Sequence, residues 1–179
     1  MTLGVQWPRA VLFDRDGTLI HDVPYCADPA QVRPVPEAAA ALELLRAHAV
    51  PVGVVTNQSG IARGLLTHAE VAAVNHRVEQ LLGPCATWQV CPHGPTDGCS
   101  CRKPRPGLIL AATRDLGVSP AQVAVVGDTG ADVQAGLAVG ARSVLVPNAA
   151  TLTTEVDAAP VVCPDLLTAV RTVLAEAAA

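Results

Sequence analysis

Short apolar runs, each about the length of one buried strand, alternate with helix-patterned segments along the chain, and several runs stop abruptly at charged or hydroxyl-bearing residues. Strands are predicted at AVLF (Ala10 to Phe13), VPVGVVT (Val50 to Thr56), ATWQV (Ala86 to Val90), QVAVVG (Gln122 to Gly127) and RSVLV (Arg142 to Val146). Between them fall helix signals. PEAAAALELLRAH (Pro36 to His48) carries proline at its start, and THAEVAAVNHRVEQLLG opens on Thr67 with Glu70 as a capping box and closes at Gly83. Further helices are predicted over Pro106 to Gly117, Gly130 to Gly140 and Pro164 to Ala179, with the alanine-rich end fraying. Strict alternation of this kind specifies an α/β fold, a parallel sheet with helices on both faces. At 179 residues the chain reads as a single domain, residues 1–179.

Composition narrows the function. Half of the residues are hydrophobic but only 2% are aromatic, so the core must be built from Ala, Val and Leu, and few rings remain for base stacking. With a formal net charge of −4 the chain also lacks the basic character of a nucleic-acid binder. No apolar stretch is long enough for a membrane span, and MTLGVQWPRA does not read as a secretory leader. The expectation is a cytoplasmic monomer with no nucleic-acid or membrane partner.

In open parallel sheets ligands bind beyond the carboxyl ends of the strands. The residues there are Asp14 and Asp16 after the first strand, Thr56, Asn57, Gln58 and Ser59 after the second, Arg102 and Lys103 after the third strand and its loop, and Asp128 and Asp132 after the fourth. Lys103 is the only lysine in the chain. Paired carboxylates, a hydroxyl and a lone ammonium suit phosphoryl transfer, which depends on neutralising the negative ester. Hard oxygens from Asp14, Asp128 and the backbone carbonyl of Asp16 would hold Mg²⁺, with Thr56 and Lys103 donating to the phosphoryl oxygens. Asp14 would attack, and Asp16 would protonate the leaving alkoxide and later deprotonate water. A calcium loop starting at Asp14 fails, because its sixth position is Leu19 rather than glycine and its twelfth is Tyr25 rather than glutamate.

The segment CPHGPTDGCSCRKP (Cys91 to Pro104) places Cys91, His93, Cys99 and Cys101 as three thiolates and one imidazole, a full tetrahedral zinc set with no position left for water. A structural Zn²⁺ in a loop over residues 91–101 is expected. Arg102 and Lys103 follow the last ligand directly, so the metal would fix two cations above the phosphate.

DRDGT (Asp14 to Thr18), VVTNQSG (Val54 to Gly60), CRKP (Cys101 to Pro104) and VVGDTGAD (Val125 to Asp132) resemble, in order and spacing, the four motifs of the haloacid dehalogenase superfamily of phosphatases. DRDG, TNQSGIARG and the cysteine loop are similar to the branch containing D-glycero-D-manno-heptose 1,7-bisphosphate phosphatases and histidinol-phosphate phosphatases. The resemblance implies a Rossmann-like sheet, Mg²⁺ dependence and a small phosphorylated metabolite as substrate. It implies that Asp14, Asp16 and Asp128 bind Mg²⁺ and that Thr56 and Lys103 steady the phosphoryl group. It also implies that Arg102, Asp22, Tyr25, Asn57, Gln58 and Ser59 contact the rest of the substrate. No interval between motifs is long enough for a cap domain. Heptose bisphosphate leads as substrate; the short spacer between His93 and Cys99 keeps histidinol phosphate next, and a zinc-dependent interaction module without activity is the alternative of another class.

Overall fold

The computed structural model describes residues 8–175. Five parallel strands form one sheet in the order β3-β2-β1-β4-β5. They are β1 (Ala10–Phe13), β2 (Val52–Asn57), β3 (Thr87–Cys91), β4 (Val123–Gly127) and β5 (Arg142–Leu145). The helices are α1 (Ala38–Ala47), α2 (His68–Leu82), α3 (Gly107–Leu116), α4 (Gly130–Leu137), α5 (Thr153–Ala158) and α6 (Leu166–Ala175), with 3₁₀ turns at Pro29–Gln31 and Pro120–Gln122. The chain winds outward from β1 through β2 to β3, then returns to lay β4 on the other side of β1. That reversal between β1 and β4 opens a crevice at their carboxyl ends.

Both faces of the sheet are covered, which is why the strands read as near-continuous apolar runs. Val11, Phe13, Val52, Val54, Ala124 and Val126 pack with α1, α2 and α6, whereas Ala10, Leu12, Val55, Val123 and Val125 pack with α3 and α4. Small side chains let the layers approach closely. Gly53 in mid-strand shows the consequence, since a Cβ there would sit 2.7 Å from the Leu12 side chain and 2.8 Å from that of Thr87.

The predicted strands and helices all occur, shifted by one to three residues at some ends, with α4 stopping at Leu137 rather than Gly140. Pro36 precedes α1 rather than starting it, and Glu37 enters the helix in the left-handed conformation at φ 63°. The C-terminal helix is described to Ala175; its expected continuation and frayed end over 176–179 lie outside the described residues. Helix α5 is not predicted, because it buries no residue and so leaves no apolar period to read. Its Glu155 accepts the amide of Gly130 at 2.8 Å and so caps α4 from outside. Between β1 and α1 there is only a loop with one 3₁₀ turn, and between β2 and β3 only α2, so no cap domain interrupts the described residues.

The capping box of α2 is formed as predicted: the Glu70 amide donates to Thr67 Oγ1 at 3.1 Å, and the Thr67 amide donates to the Glu70 carboxylate at 2.7 Å. Thr67→Ala is expected to cost about 1 kcal/mol in urea denaturation, with Thr67→Asn restoring most of the loss.

Candidate active site

The carboxyl ends of β1 and β4 bring together an excess of negative charge. Asp14 follows β1 directly, its amide held by the Val126 carbonyl of β4 at 3.0 Å. Asp128 follows β4, and Asp132 reaches back from the first turn of α4. Ligand oxygens of Asp14, Asp128 and Asp132 lie within 4.8 Å of one another, all on buried residues. The cation among them is Lys103, 4% exposed, whose Nζ donates to Asp14 Oδ1 at 2.8 Å, Asp132 Oδ1 at 2.5 Å and the Val55 carbonyl at 2.7 Å. Asp132 and Asp14 hold that ammonium charged against the cost of its burial.

One lysine does not balance three carboxylates. Burial pushes Asp14 well above the usual carboxylate range; Lys103 opposes the shift, while Asp132, Asp16 and Asp128 add to it. Asp128 is raised by burial and by Asp132, in spite of the donors Thr18 Oγ1 at 2.8 Å and Asn148 Nδ2 at 2.8 Å. Such a cluster, made of hard oxygens and short of positive charge, fits a divalent cation such as Mg²⁺. Asp14 and Asp128 are the carboxylates able to hold it. Each oxygen of Asp128 accepts one neutral donor, whereas Asp132 is more fully committed, Oδ1 to the Lys103 ammonium and Oδ2 to both the amide and the hydroxyl of Thr129. Asp132 is thus a seat for the lysine, a role that sequence reasoning left open. Gly127 makes room for it, since a Cβ there would overlap the Asp132 side chain.

Asp16 points elsewhere. Its carboxylate accepts Arg15 Nε at 3.1 and 3.2 Å, Arg15 Nη2 at 3.0 Å and Gln58 Nε2 at 2.7 Å. With its carboxylate so engaged, any share of Asp16 in metal binding would fall to its backbone carbonyl. Gln58 also donates to Thr56 Oγ1 at 2.9 Å, which leaves the threonine O–H to donate onward.

The residues predicted to contact substrate divide into several groups. Asn57 is engaged on both sides by the backbone of Lys103, donating to its carbonyl at 3.2 Å and accepting its amide at 3.1 Å, so it fastens the lysine segment to β2. Tyr25 Oη accepts Arg63 Nη1 at 2.7 Å, and the two side chains form an exposed pair at the rim of the loops. Asp22 lines a cavity of about 510 Å³ together with Gly17, Asp128, Asn148 and Asp165. Ser59 sits in the turn after β2, its carbonyl accepting the Arg63 amide at 3.2 Å. Arg102 Nη1 donates to the His93 carbonyl at 3.2 Å.

The cysteine loop closes on itself. Sulfur and imidazole nitrogen atoms of Cys91, His93, Cys99 and Cys101 converge, with Cys91 3.1 Å from Cys101 and 3.8 Å from Cys99, and His93 Nδ1 3.2 Å from Cys101. The wider spacing matches the ~3.8 Å edge of a tetrahedron with zinc–sulfur bonds of about 2.3 Å. Burial, followed by hydrogen bonding to Cys101, pushes the Cys91 thiol up to about 12. The Cys91 carbonyl accepts the Gln58 amide at 2.7 Å, so the loop is joined to the residues that grip Asp16.

Because ionised Asp14 is destabilised by burial more than Lys103 relieves it, Asp14→Asn is expected to raise the melting temperature of the chelator-treated protein near neutral pH. The raised carboxyl gains a proton as pH falls through its folded-state value, so the advantage should shrink on acidification. Added Mg²⁺ should also remove it. Thermal unfolding at several pH values checks both.

Residues 11–89 match the haloacid dehalogenase-like hydrolase family model, and residues 100–170 match the model described as HAD-hydrolase-like. The chain is 38% identical over 143 residues to the D-glycero-beta-D-manno-heptose-1,7-bisphosphate 7-phosphatase of Pseudomonas putida, covering 77% of this chain and 82% of that one. It is 37% identical over 138 residues to the D-glycero-alpha-D-manno-heptose-1,7-bisphosphate 7-phosphatase of Mycobacterium bovis, covering 73% and 72%. The crystal structure of D,D-heptose 1,7-bisphosphate phosphatase from B. bronchiseptica, complexed with magnesium and phosphate, superposes with a TM-score of 0.82 at 32% identity, covering 93% of this chain and 99% of that one. Sheet order, the carboxylate cluster at the switch point and these relatives agree: the chain belongs to the haloacid dehalogenase-like hydrolase family.

Proposed function

We propose that this chain is a Mg²⁺-dependent phosphoric monoester hydrolase acting on D-glycero-D-manno-heptose 1,7-bisphosphate at its 7-phosphate. The observation that carries the chemistry is Lys103 Nζ at 2.8 Å from Asp14, with Asp128 and Asp132 closing the cluster. The relatives named for the heptose bisphosphate carry the substrate.

Mg²⁺ held by Asp14, Asp128 and the Asp16 carbonyl would supply the positive charge that lets a dianionic ester approach a carboxylate. Lys103 and the Thr56 hydroxyl neutralise and orient the phosphoryl oxygens. A carboxylate oxygen of Asp14 attacks phosphorus, the bond to the sugar oxygen breaks, and Asp16 gives that oxygen a proton. Asp16 then takes a proton from water as the water attacks phosphorus, which releases inorganic phosphate and frees Asp14. Arg102, Asp22, Tyr25, Asn57, Gln58 and Ser59 surround these steps in the reading, with Asn57 acting through Lys103 and Gln58 through Asp16. Zn²⁺ on Cys91, His93, Cys99 and Cys101 is structural and stiffens the segment that presents Arg102 and Lys103. One chain suffices for every role, and the reading is of a cytoplasmic monomer of one domain.

Two measurements test this reading. Against a panel of phosphorylated metabolites containing both anomers of heptose 1,7-bisphosphate and histidinol phosphate, kcat/KM should be highest for a heptose bisphosphate. Turnover should require Mg²⁺ and vanish in Asp14→Asn. A higher value for histidinol phosphate would reassign the substrate, and no turnover of any monoester would leave a zinc-dependent interaction module. Metal analysis should find about one Zn²⁺ per chain, lost in Cys101→Ser together with most of the activity.

A further inference from the structure

Arg15 is the largest fully buried side chain in the structure, 1% exposed, yet the chemistry above does not use it. A guanidinium is a costly group to bury unless its fork is filled, so its partners indicate what it is for. Nε and Nη2 grip the Asp16 carboxylate side-on, at 3.1 and 3.0 Å for the shorter contacts. Nη1 turns the other way and donates to Asn75 Oδ1 at 2.7 Å. Asn75 lies 60 positions away in mid-α2, within an apolar stripe formed by Val71, Val74, Val78 and Leu82. A polar residue in that stripe is unfavourable by itself, and its recorded side-chain partner is Arg15.

We propose that Asn75 and Arg15 form a positioning relay for Asp16, and that Asp16 Oδ1 is the oxygen that exchanges the proton. This rests on the reading of Asp16 as general acid and base. Oδ2 is occupied by Arg15 Nη2 and by Gln58 Nε2 at 3.0 and 2.7 Å, whereas Oδ1 carries only a share of Arg15 Nε. The fork fixes the plane of the carboxylate, Gln58 selects which oxygen is saturated, and Asn75 keeps the fork from rotating. Helix α2, outside the catalytic motifs, thereby sets where the proton is delivered.

Leaving-group dependence separates this role from a merely structural one. An alkoxide needs the proton of Asp16 as it departs, whereas p-nitrophenolate leaves as a stable anion. The quantity to measure is the ratio of kcat/KM for the best alkyl phosphate of the panel to that for p-nitrophenyl phosphate, because kcat/KM stops at cleavage of the ester and excludes the later attack by water. Asp16→Asn, as reference, should lower the ratio by roughly 10²–10⁴. Asn75→Leu and Arg15→Lys should lower it roughly tenfold or more, and Asn75→Asp, which keeps an acceptor for Nη1, should restore most of it.

An unchanged ratio in Asn75→Leu and Arg15→Lys, or an equal loss on both esters, overturns the relay while the phosphatase reading stands. If Asn75→Leu fails to fold, Arg15→Lys decides by the same ratio. An unchanged ratio in Asp16→Asn would instead remove Asp16 as the acid, and the relay with it.

Discussion

Negative charge concentrated where two parallel strands end is the constraint on which the rest of this structure depends. β1 and β4 are neighbours because the winding reverses there, and each ends in an aspartate. Asp14 and Asp128 are therefore forced together, with Asp132 behind them, in a place where burial favours their neutral forms. Such a site is stable only with added positive charge. Lys103 supplies part of it, and the remainder matches a divalent ion.

Much of the surrounding architecture serves to hold that one lysine. Its backbone is clasped by Asn57 from β2, its ammonium is seated by Asp132 from α4, and its segment leaves directly from the cysteine loop. Gly127 is small so that Asp132 fits. A zinc ion in the loop would therefore act on catalysis only indirectly, by restricting a segment with no helix or strand of its own. In the proposed mechanism stability and activity are opposed at Asp14: the carboxylate proposed as nucleophile is one whose charged form burial disfavours.

The Asp16 carboxylate, the proposed general acid, is held separately. Asp16 is two residues from Asp14 in the chain, but its carboxylate faces Arg15 and Gln58 rather than the metal cluster. The two carboxylates thus have different cationic partners, Asp14 the Lys103 ammonium and Asp16 the Arg15 guanidinium, although both are carried by the same loop.

The strands, the main helices and the α2 capping box were legible because each has a local cause: an apolar run, a heptad-like stripe, or a threonine three residues before a glutamate. The four strand-end motifs and the Cys91, His93, Cys99 and Cys101 cluster were legible for the same reason, since each is set by residues close together in the chain. Asn75, Asn148 and the seat at Asp132 were not, because each acts on a residue far away in the chain. The asparagine within the apolar stripe of α2 was the one visible hint. Of the predicted substrate residues, Asn57 binds the backbone of Lys103, Asp22 lines the cavity beside Asp128 and Tyr25 pairs with Arg63. Sequence alone determined which reactive side chains stand at the strand ends, because residue type and local order are read directly from the chain. Only the tertiary structure decided which oxygen meets which donor, because that depends on how β1, β4, α2 and the cysteine loop pack into one crevice.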